Sequence, residues 1–142
     1  MNRKQKANQR AGGFWDSDLS NEKHDEIMLW LDRNAEEYGK HQGMTLAHKR
    51  WEHPITKGTG NYKTIVGYVD FAALYEREGD FNLEVFFEVK SYIKSCGELI
   101  RQIRQYQEYA LPEPRFVVVS PDVRFEDILR DQGIDFWAYP EY

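Results

Sequence analysis

The stretch YVDFAALYEREGDFNLEVFFEVK, residues 68–90, contains the pattern that decides the fold. Two runs rich in apolar and aromatic residues flank the turn sequence REGDFN, and this arrangement predicts an antiparallel hairpin. If the turn centres on Gly79, Asp70 and Glu88 stand opposite each other. Lys90 follows Glu88 by two positions, so both side chains share one face of their strand. The hairpin therefore predicts two carboxylates and an ammonium close together inside an apolar run, where an unpartnered charge is costly.

The segments around this hairpin predict a mixed α/β domain. Before it, we expect a helix over residues 20–39, with Ser20 as its cap and Gly39 as its end, and a short strand that Pro54 terminates. The stripe at helical spacing on this first helix predicts its buried face: His24, Ile27, Met28, Leu31, Ala35 and Tyr38.

After the hairpin, whose second strand we expect to extend to Ile93, a capping box of Ser95 and Glu98 predicts the start of another helix. RFVVVSP then has the continuous apolar character of a central parallel strand, FEDILRDQG predicts a short helix closed by Gly133, and IDFWAYPEY predicts a last strand. The predicted order is α-β-β-β-α-β-α-β, which is an α/β fold with a mixed sheet and helices on both faces.

Length and composition suit one domain. The chain has 142 residues, and we expect residues 1–13 to be a flexible basic arm and residues 14–142 to form a single domain. No apolar run approaches the roughly 20 residues of a membrane span. The single cysteine, Cys96, rules out an internal disulfide and favours a cytoplasmic location.

The net charge of −5 argues against a large non-specific nucleic-acid binder, but the basic residues are clustered. The segment 40–63 has one acid, Glu52, against five basic residues and three of the four histidines. His48, His53, Lys49 and Arg50 suit contacts to phosphate groups, but a solvated loop is the better explanation of them.

The acids and the lysine of the hairpin match the needs of phosphodiester hydrolysis. A hard cation such as Mg²⁺ takes one or two protein carboxylates, with waters and phosphate oxygens completing its shell. Asp70 and Glu88 supply carboxylates, and the backbone carbonyl of Val89 is a further candidate ligand. Lys90 would orient the attacking water or stabilise the developing negative charge.

GYVDF followed by FEVKS resembles the D…ExK signature of the PD-(D/E)xK nuclease superfamily. The resemblance implies a restriction-endonuclease-like fold and a nuclease that uses Mg²⁺ or Mn²⁺, with DNA as the expected substrate. Asp70, Glu88 and Lys90 would then be the catalytic residues. The proline that usually precedes the aspartate is absent, because Val69 stands there.

QIRQY, residues 102–106, resembles the QxxxY motif of the RecB-like branch. Spacing i,i+4 places Gln102 and Tyr106 on one helical face, and the resemblance implies that they contact the substrate and steady the site. A second match, Gln105 with Tyr109, lies on another face. The same branch implies His24 as a metal ligand, whereas the wider superfamily has a glutamate there, which makes Glu26 or Glu22 the alternative.

Lys94 and Arg50 complete the expected substrate contacts. Two other interpretations remain open. The chain could be a catalytically inactive nuclease-fold module that binds or inhibits a nucleic-acid-processing complex, or a small α/β binding domain unrelated to nucleases. A homodimer and a subunit of a larger complex are both compatible with its size.

Overall fold

Five strands and three α-helices make up the part of the chain that the computed structural model describes, which is residues 22–79, 82–110 and 113–141. In chain order they are α1 (Glu22–Lys40), β1 (Thr45–Lys57), β2 (Thr64–Glu76), β3 (Leu83–Val89), α2 (Cys96–Tyr109), β4 (Arg115–Ser120), α3 (Glu126–Asp131) and β5 (Asp135–Ala138). A short 3₁₀ turn, Gly60–Tyr62, lies between β1 and β2. This order confirms the predicted α-β-β-β-α-β-α-β arrangement.

The strands form one sheet in the order β1-β2-β3-β4-β5. β1, β2 and β3 are antiparallel neighbours, whereas β3, β4 and β5 are parallel. Side chains of α1 pack with one face of the sheet, and side chains of α2 and α3 pack with the other. The domain therefore has three layers, and both crossover helices of the parallel half lie on the same side.

The hairpin register agrees with the prediction. Phe71 pairs with Phe87 and Tyr75 pairs with Leu83, so each pair is centred on Gly79. Gly79 has φ +73°, a left-handed conformation that glycine adopts without steric cost. Continuing this register places Asp70 opposite Glu88.

Helix α1 buries the predicted stripe but does not end at the predicted residue. All six stripe residues are buried, which fixes His24 against the sheet. The helix runs one residue past Gly39, to Lys40. Gly39 is needed for packing instead, because a Cβ there would lie 2.6 Å from Cδ1 of Tyr75.

Two strand boundaries also differ from expectation. β1 continues through Pro54 to Lys57, because an edge strand has a pairing neighbour on one side only and tolerates a residue without an amide proton. β3 ends at Val89 rather than at Ile93. The amide of Lys90 still donates to Val119 on β4, but Asp122 and Arg124, which follow β4, bind the backbone of Ile93.

The predicted capping box is present at the start of α2. Ser95 accepts a hydrogen bond from the amide of Glu98 at 3.2 Å. The predicted close of α3 is confirmed too, since Gly133 has φ +76°. The basic arm over residues 1–13 and the Ser20 cap lie outside the described residues and stay predictions. Within the described ranges, no helix is both long and apolar enough to cross a membrane.

Candidate active site

The hairpin strands part at the position of the two acids. The ladder between β2 and β3 ends at the pair Phe71–Phe87. Beyond it, the amide of Val89 donates to Oδ2 of Asp70 at 2.8 Å, and the amide of Asp70 donates to Oε1 of Glu88 at 3.3 Å. The carboxylates thus replace backbone carbonyls as cross-strand acceptors, which holds both acids at the fork between the strands.

The three predicted catalytic side chains are all buried. Asp70 is 2% exposed, Glu88 0% and Lys90 4%. Lys90 follows the last residue of β3, and its amide donates to the carbonyl of Val119 on β4 at 3.0 Å. This hydrogen bond to the parallel strand β4 therefore holds the backbone of Lys90, one residue beyond the end of β3.

Helix α1 adds His24 to this group. The imidazole Nε2 lies 3.6 Å from Oδ2 of Asp70, and His24 is 5% exposed. Glu26 is exposed and accepts a hydrogen bond from the Tyr139 hydroxyl at 2.7 Å, while Lys23 lies 3.0 Å from its carboxylate. Glu22 is exposed as well. Of the alternatives on α1, the geometry favours His24.

The fork contains carboxylate oxygens, which are the type of ligand that a hard divalent cation prefers. Two buried carboxylates, from Asp70 and Glu88, are the ligands that Mg²⁺ uses, usually with several waters. Among the described residues, however, no group of three or more His, Cys, Asp or Glu side chains has metal-binding geometry. A cation at the fork would therefore need backbone carbonyl, water or phosphate oxygens beside the acids.

The Gln102–Tyr106 pair of α2 reaches the strand that carries Asp70. The amide of Gln102 donates to the Tyr106 hydroxyl at 3.2 Å, and that hydroxyl donates to the carbonyl of Tyr68 at 3.2 Å. Gly67 permits this approach, because a Cβ there would lie 2.8 Å from Cε1 of Tyr106. The pair therefore fixes β2 two residues before the aspartate.

Gln102 also has an open acceptor. Its side chain is 7% exposed, and Oε1 is buried with no hydrogen-bond partner among the described residues. Buried amide oxygens are usually satisfied. The second QxxxY match has no comparable placement, because Gln105 is exposed.

Sequence reasoning missed the residues that hold the segment after Lys90. The carboxylate of Asp122 accepts from the amide of Ile93 at 2.9 Å, and Arg124 donates to the carbonyl of Ile93 at 3.0 Å. Asp122 and Arg124 also pair with each other at 2.8 Å. Hydrogen bonds from Arg124 lower the pKa of Asp122 to about 2. The sequence contained a signal for this pair. SPDVR, residues 120–124, lies at the carboxyl end of an apolar strand, and in a parallel sheet that end lies beside the carboxyl end of β3.

The other predicted substrate contacts lie outside the buried group. Arg50 on β1 and Lys94 in the segment before α2 are both exposed. His53 is half-buried against the ring of Phe86, and burial lowers its pKa.

Comparison with solved structures places this fold beside a nuclease. A repair endonuclease from Pyrococcus abyssi matches with a TM-score of 0.50 and 16% identity, over 85% of this chain and 49% of that chain. The protein VC1899 from Vibrio cholerae matches with a TM-score of 0.47 and 14% identity, over 82% of this chain and 28% of that chain. No family model and no curated protein matches the sequence.

The likeness concerns the fold. The mixed five-stranded sheet with helices on both faces is consistent with a restriction-endonuclease-like fold, and it is similar to that of the repair endonuclease. The chain spans about half the length of that protein. The neighbour therefore supports a nuclease-like fold.

Proposed function

We propose that this chain is a metal-dependent nuclease that hydrolyses phosphodiester bonds in DNA, with a PD-(D/E)xK site of the RecB-like branch. The observation that carries the proposal is the burial of Asp70, Glu88 and Lys90 around one fork of the sheet. Buried ions seldom improve stability over apolar residues of similar size. Three buried ionisable side chains where the inner strands β2 and β3 part, in a nuclease-like sheet, are explained best by chemistry.

In this proposal Asp70 and Glu88 would hold Mg²⁺ or Mn²⁺, with the Val89 carbonyl and His24 as further ligands. The bound ion would supply Lewis-acid polarisation of a phosphoryl oxygen and a more acidic water. Val89 keeps the Asp70 carboxylate oriented through its amide, so one carboxylate oxygen of Asp70 is positioned by the protein before any ligand arrives.

Lys90 would supply positive charge where the phosphorane-like transition state gains negative charge. The Lys90 side chain is buried, and in such a water-poor environment a charge interaction would be stronger than in bulk solvent. Gln102 and Tyr106 would fix the strand that bears Asp70, and the open Oε1 of Gln102 would accept a hydrogen bond from the substrate or from a water bound to it.

Cleavage of labelled single-stranded and double-stranded DNA in Mn²⁺ tests the proposal. We expect activity in the natural chain and a loss of about 10²-fold or more in Lys90→Ala, the scale seen when one charge-stabilising group is removed. Glu88→Gln keeps the side-chain shape and serves if Lys90→Ala fails to fold. Lys40→Ala is the matched control, because Lys40 is exposed at the far end of α1 and pairs with Glu36 and Glu37.

Full activity in a folded Lys90→Ala protein would overturn the residue assignment. An absence of cleavage of any DNA or RNA by the natural chain would instead support the inactive binding module. Circular dichroism and the thermal midpoint of each variant separate both outcomes from simple unfolding.

A further inference from the structure

The β1–β2 hairpin extends well beyond the fork, as a two-stranded element that we call the outer hairpin (residues 52–69). β3 pairs with β2 only as far as Phe71, whereas the β1–β2 pairing continues to Lys57 and Thr64. The outer hairpin therefore projects from the sheet on the side of Asp70. Its tip contains Gly58 and Gly60, both with positive φ.

The tip is exposed, aromatic and basic. Tyr62 is 87% exposed, the largest exposed fraction among the large hydrophobic side chains of the described residues. Lys57 and Lys63 flank it and are exposed too. Ile65 adds a further exposed apolar surface at 49%. An exposed tyrosine between two lysines, in a chain of net charge −5, marks the tip as a local exception to the acidic surface.

The outer hairpin is fixed relative to the candidate active site. Ile55 and Val69 belong to the hydrophobic cluster that α2 and the sheet share. The ring of Tyr106 packs against Gly67 on the same element. From the tip, β2 runs from Thr64 to Asp70, with one register shift against β1 at Val66, a distance of about 20 Å at the usual rise per residue. A chain bound along β2 would therefore extend from the tip to the fork.

We propose that the outer hairpin binds an unpaired stretch of the nucleic-acid substrate, with Tyr62 stacked on a base and Lys57 and Lys63 contacting phosphates. The proposal rests on the proposed function, because it extends the same site to a second contact with the same chain. Charge complementarity selects a polyanion as the occupant. The exposed tyrosine selects unpaired bases, since the face of a base is open to an aromatic side chain only outside the duplex stack.

Stacking by Tyr62 is tested with a single-stranded oligonucleotide that carries the fluorescent base 2-aminopurine, with Ca²⁺ in place of Mg²⁺ so that binding is observed without rapid turnover. We expect binding to quench the base in the natural chain and in Tyr62→Phe, which keeps the ring. We expect Tyr62→Ala to lose the quenching and to bind at least about fivefold more weakly, the lower end for one stacked base.

The phosphate contacts are tested by the salt dependence of binding, followed by fluorescence anisotropy. Each lysine that contacts a phosphate of a single strand contributes about 0.7 to the slope of log K against log salt. The double variant Lys57→Ala/Lys63→Ala should therefore lower the slope by about 1.4. Lys40→Ala should leave the slope unchanged. Lys40 ends α1 and lies about 25 Å along that helix from its first turn, where His24 approaches Asp70.

A blunt duplex distinguishes unpaired from paired substrates. It should bind the natural chain and Tyr62→Ala equally well, and a large loss on the duplex would overturn the choice of unpaired bases. Unchanged single-strand binding in Tyr62→Ala and in the lysine double variant would overturn the proposal while leaving the nuclease proposal standing. Binding through the tip without any cleavage in Mg²⁺ or Mn²⁺ would support the outer hairpin as a binding element and overturn the nuclease proposal. Binding through the tip together with full cleavage by Lys90→Ala would support the outer hairpin and overturn the assignment of Lys90.

Discussion

At the residue scale, Asp70 and Glu88 each serve the fold and the candidate chemistry at once. Each carboxylate accepts a backbone amide from the opposite strand, where an ordinary hairpin would have a carbonyl. Hydrogen bonding of this kind orients the two carboxylates. The spacing of the two acids around Gly79 was enough to predict their meeting. The exchange of backbone for side-chain acceptors was not predictable, because it depends on the strands parting.

The Tyr106 hydroxyl is a second residue-scale feature with a measurable effect. Tyr106→Phe removes the group that joins Gln102 to the carbonyl of Tyr68. We expect the free energy of unfolding to fall by about 1–2 kcal/mol, since buried polar groups are left without their partner. Urea unfolding measures this loss.

Tyr109→Phe is the matched control, because Tyr109 is on the same helix and packs against the same cluster but is only half-buried. Equal stabilities for both variants would contradict the hydrogen-bonded connection between α2 and β2. If Tyr106 serves the reaction as well as the fold, cleavage at saturating DNA should fall in Tyr106→Phe even at temperatures where the protein is fully folded.

At the element scale, the segment between β3 and α2 is held by a pair of residues from the next crossover. Asp122 accepts a hydrogen bond from the amide of Ile93, three residues after Lys90, and Arg124 donates one to its carbonyl. The Arg124 guanidinium also lies over the rings of Tyr92 and Phe125. This contact explains why the strand predicted to reach Ile93 ends at Val89: the backbone turns toward β4 and finds its partners there.

The Asp122 carboxylate should make stability depend on acid pH. Its pKa in the folded chain is about 2, below the usual value of about 3.9. A lowered folded pKa gives stability that is present above the unfolded value and is lost as pH falls toward the folded one. We therefore expect the free energy of unfolding to fall between about pH 4 and pH 2 more steeply in the natural chain than in Asp122→Asn.

Urea unfolding at a series of pH values checks this expectation, with Asp127→Asn as a control on an exposed acid of the short helix α3. Parallel pH curves for the natural chain and Asp122→Asn would show that the Arg124 contact does not matter in solution. A curve as shallow in the Asp127→Asn protein as in Asp122→Asn would show that the loss of any acid, and not the loss of the Arg124 contact, flattens the pH dependence.

At the scale of the whole molecule, a cation at the fork should stabilise the entire domain, because it would bind only where β2, β3 and α1 come together. At a free Mn²⁺ concentration of about 100 times Kd, binding contributes about 2.7 kcal/mol. For a domain of this length that corresponds to a rise in the thermal midpoint of about 5–10 °C. Asp70→Asn keeps the side-chain shape and should lose most of the rise.

Differential scanning calorimetry with and without Mn²⁺ measures this shift, and Ca²⁺ and Zn²⁺ serve as tests of metal preference. A thermal midpoint that does not change at millimolar Mn²⁺ would argue against a metal site in the fork. An equal rise in the natural chain and in Asp70→Asn would place the ion elsewhere.

The architecture could be predicted almost completely from the sequence, because hydrophobic periodicity, capping residues and turn glycines all pointed the same way. The element order, the register around Gly79 and the Ser95 cap agree with the structure. What escaped prediction depends on contacts between distant segments. Gly39 stays inside α1 because of the Tyr75 ring, and no local pattern in the sequence reveals that neighbour.

The residues of the candidate site that lie on one hairpin were predictable, whereas those that come from distant segments of the chain were not. Asp70, Glu88 and Lys90 could be found because one hairpin carries them. The apolar stripe on α1 placed His24 on the buried face, but the approach of its imidazole to Asp70 could not be predicted, because it depends on how the helix packs on the sheet. The Asp122–Arg124 pair required knowledge that β4 lies beside β3 in parallel.

The outermost strand β1 has a consequence for self-association. Pro54 offers no amide proton, Glu52 interrupts the extended backbone with φ +50°, and the neighbouring Arg50 is charged and exposed. Such interruptions keep the free rim of a sheet from joining the rim of another molecule. Two copies of this chain would therefore not fuse their sheets through β1 into a continuous ten-stranded layer. Any pairing of two chains would have to use helices, loops or the opposite edge strand β5, and a sheet joined through β5 would have the two outer hairpins at its two outer edges.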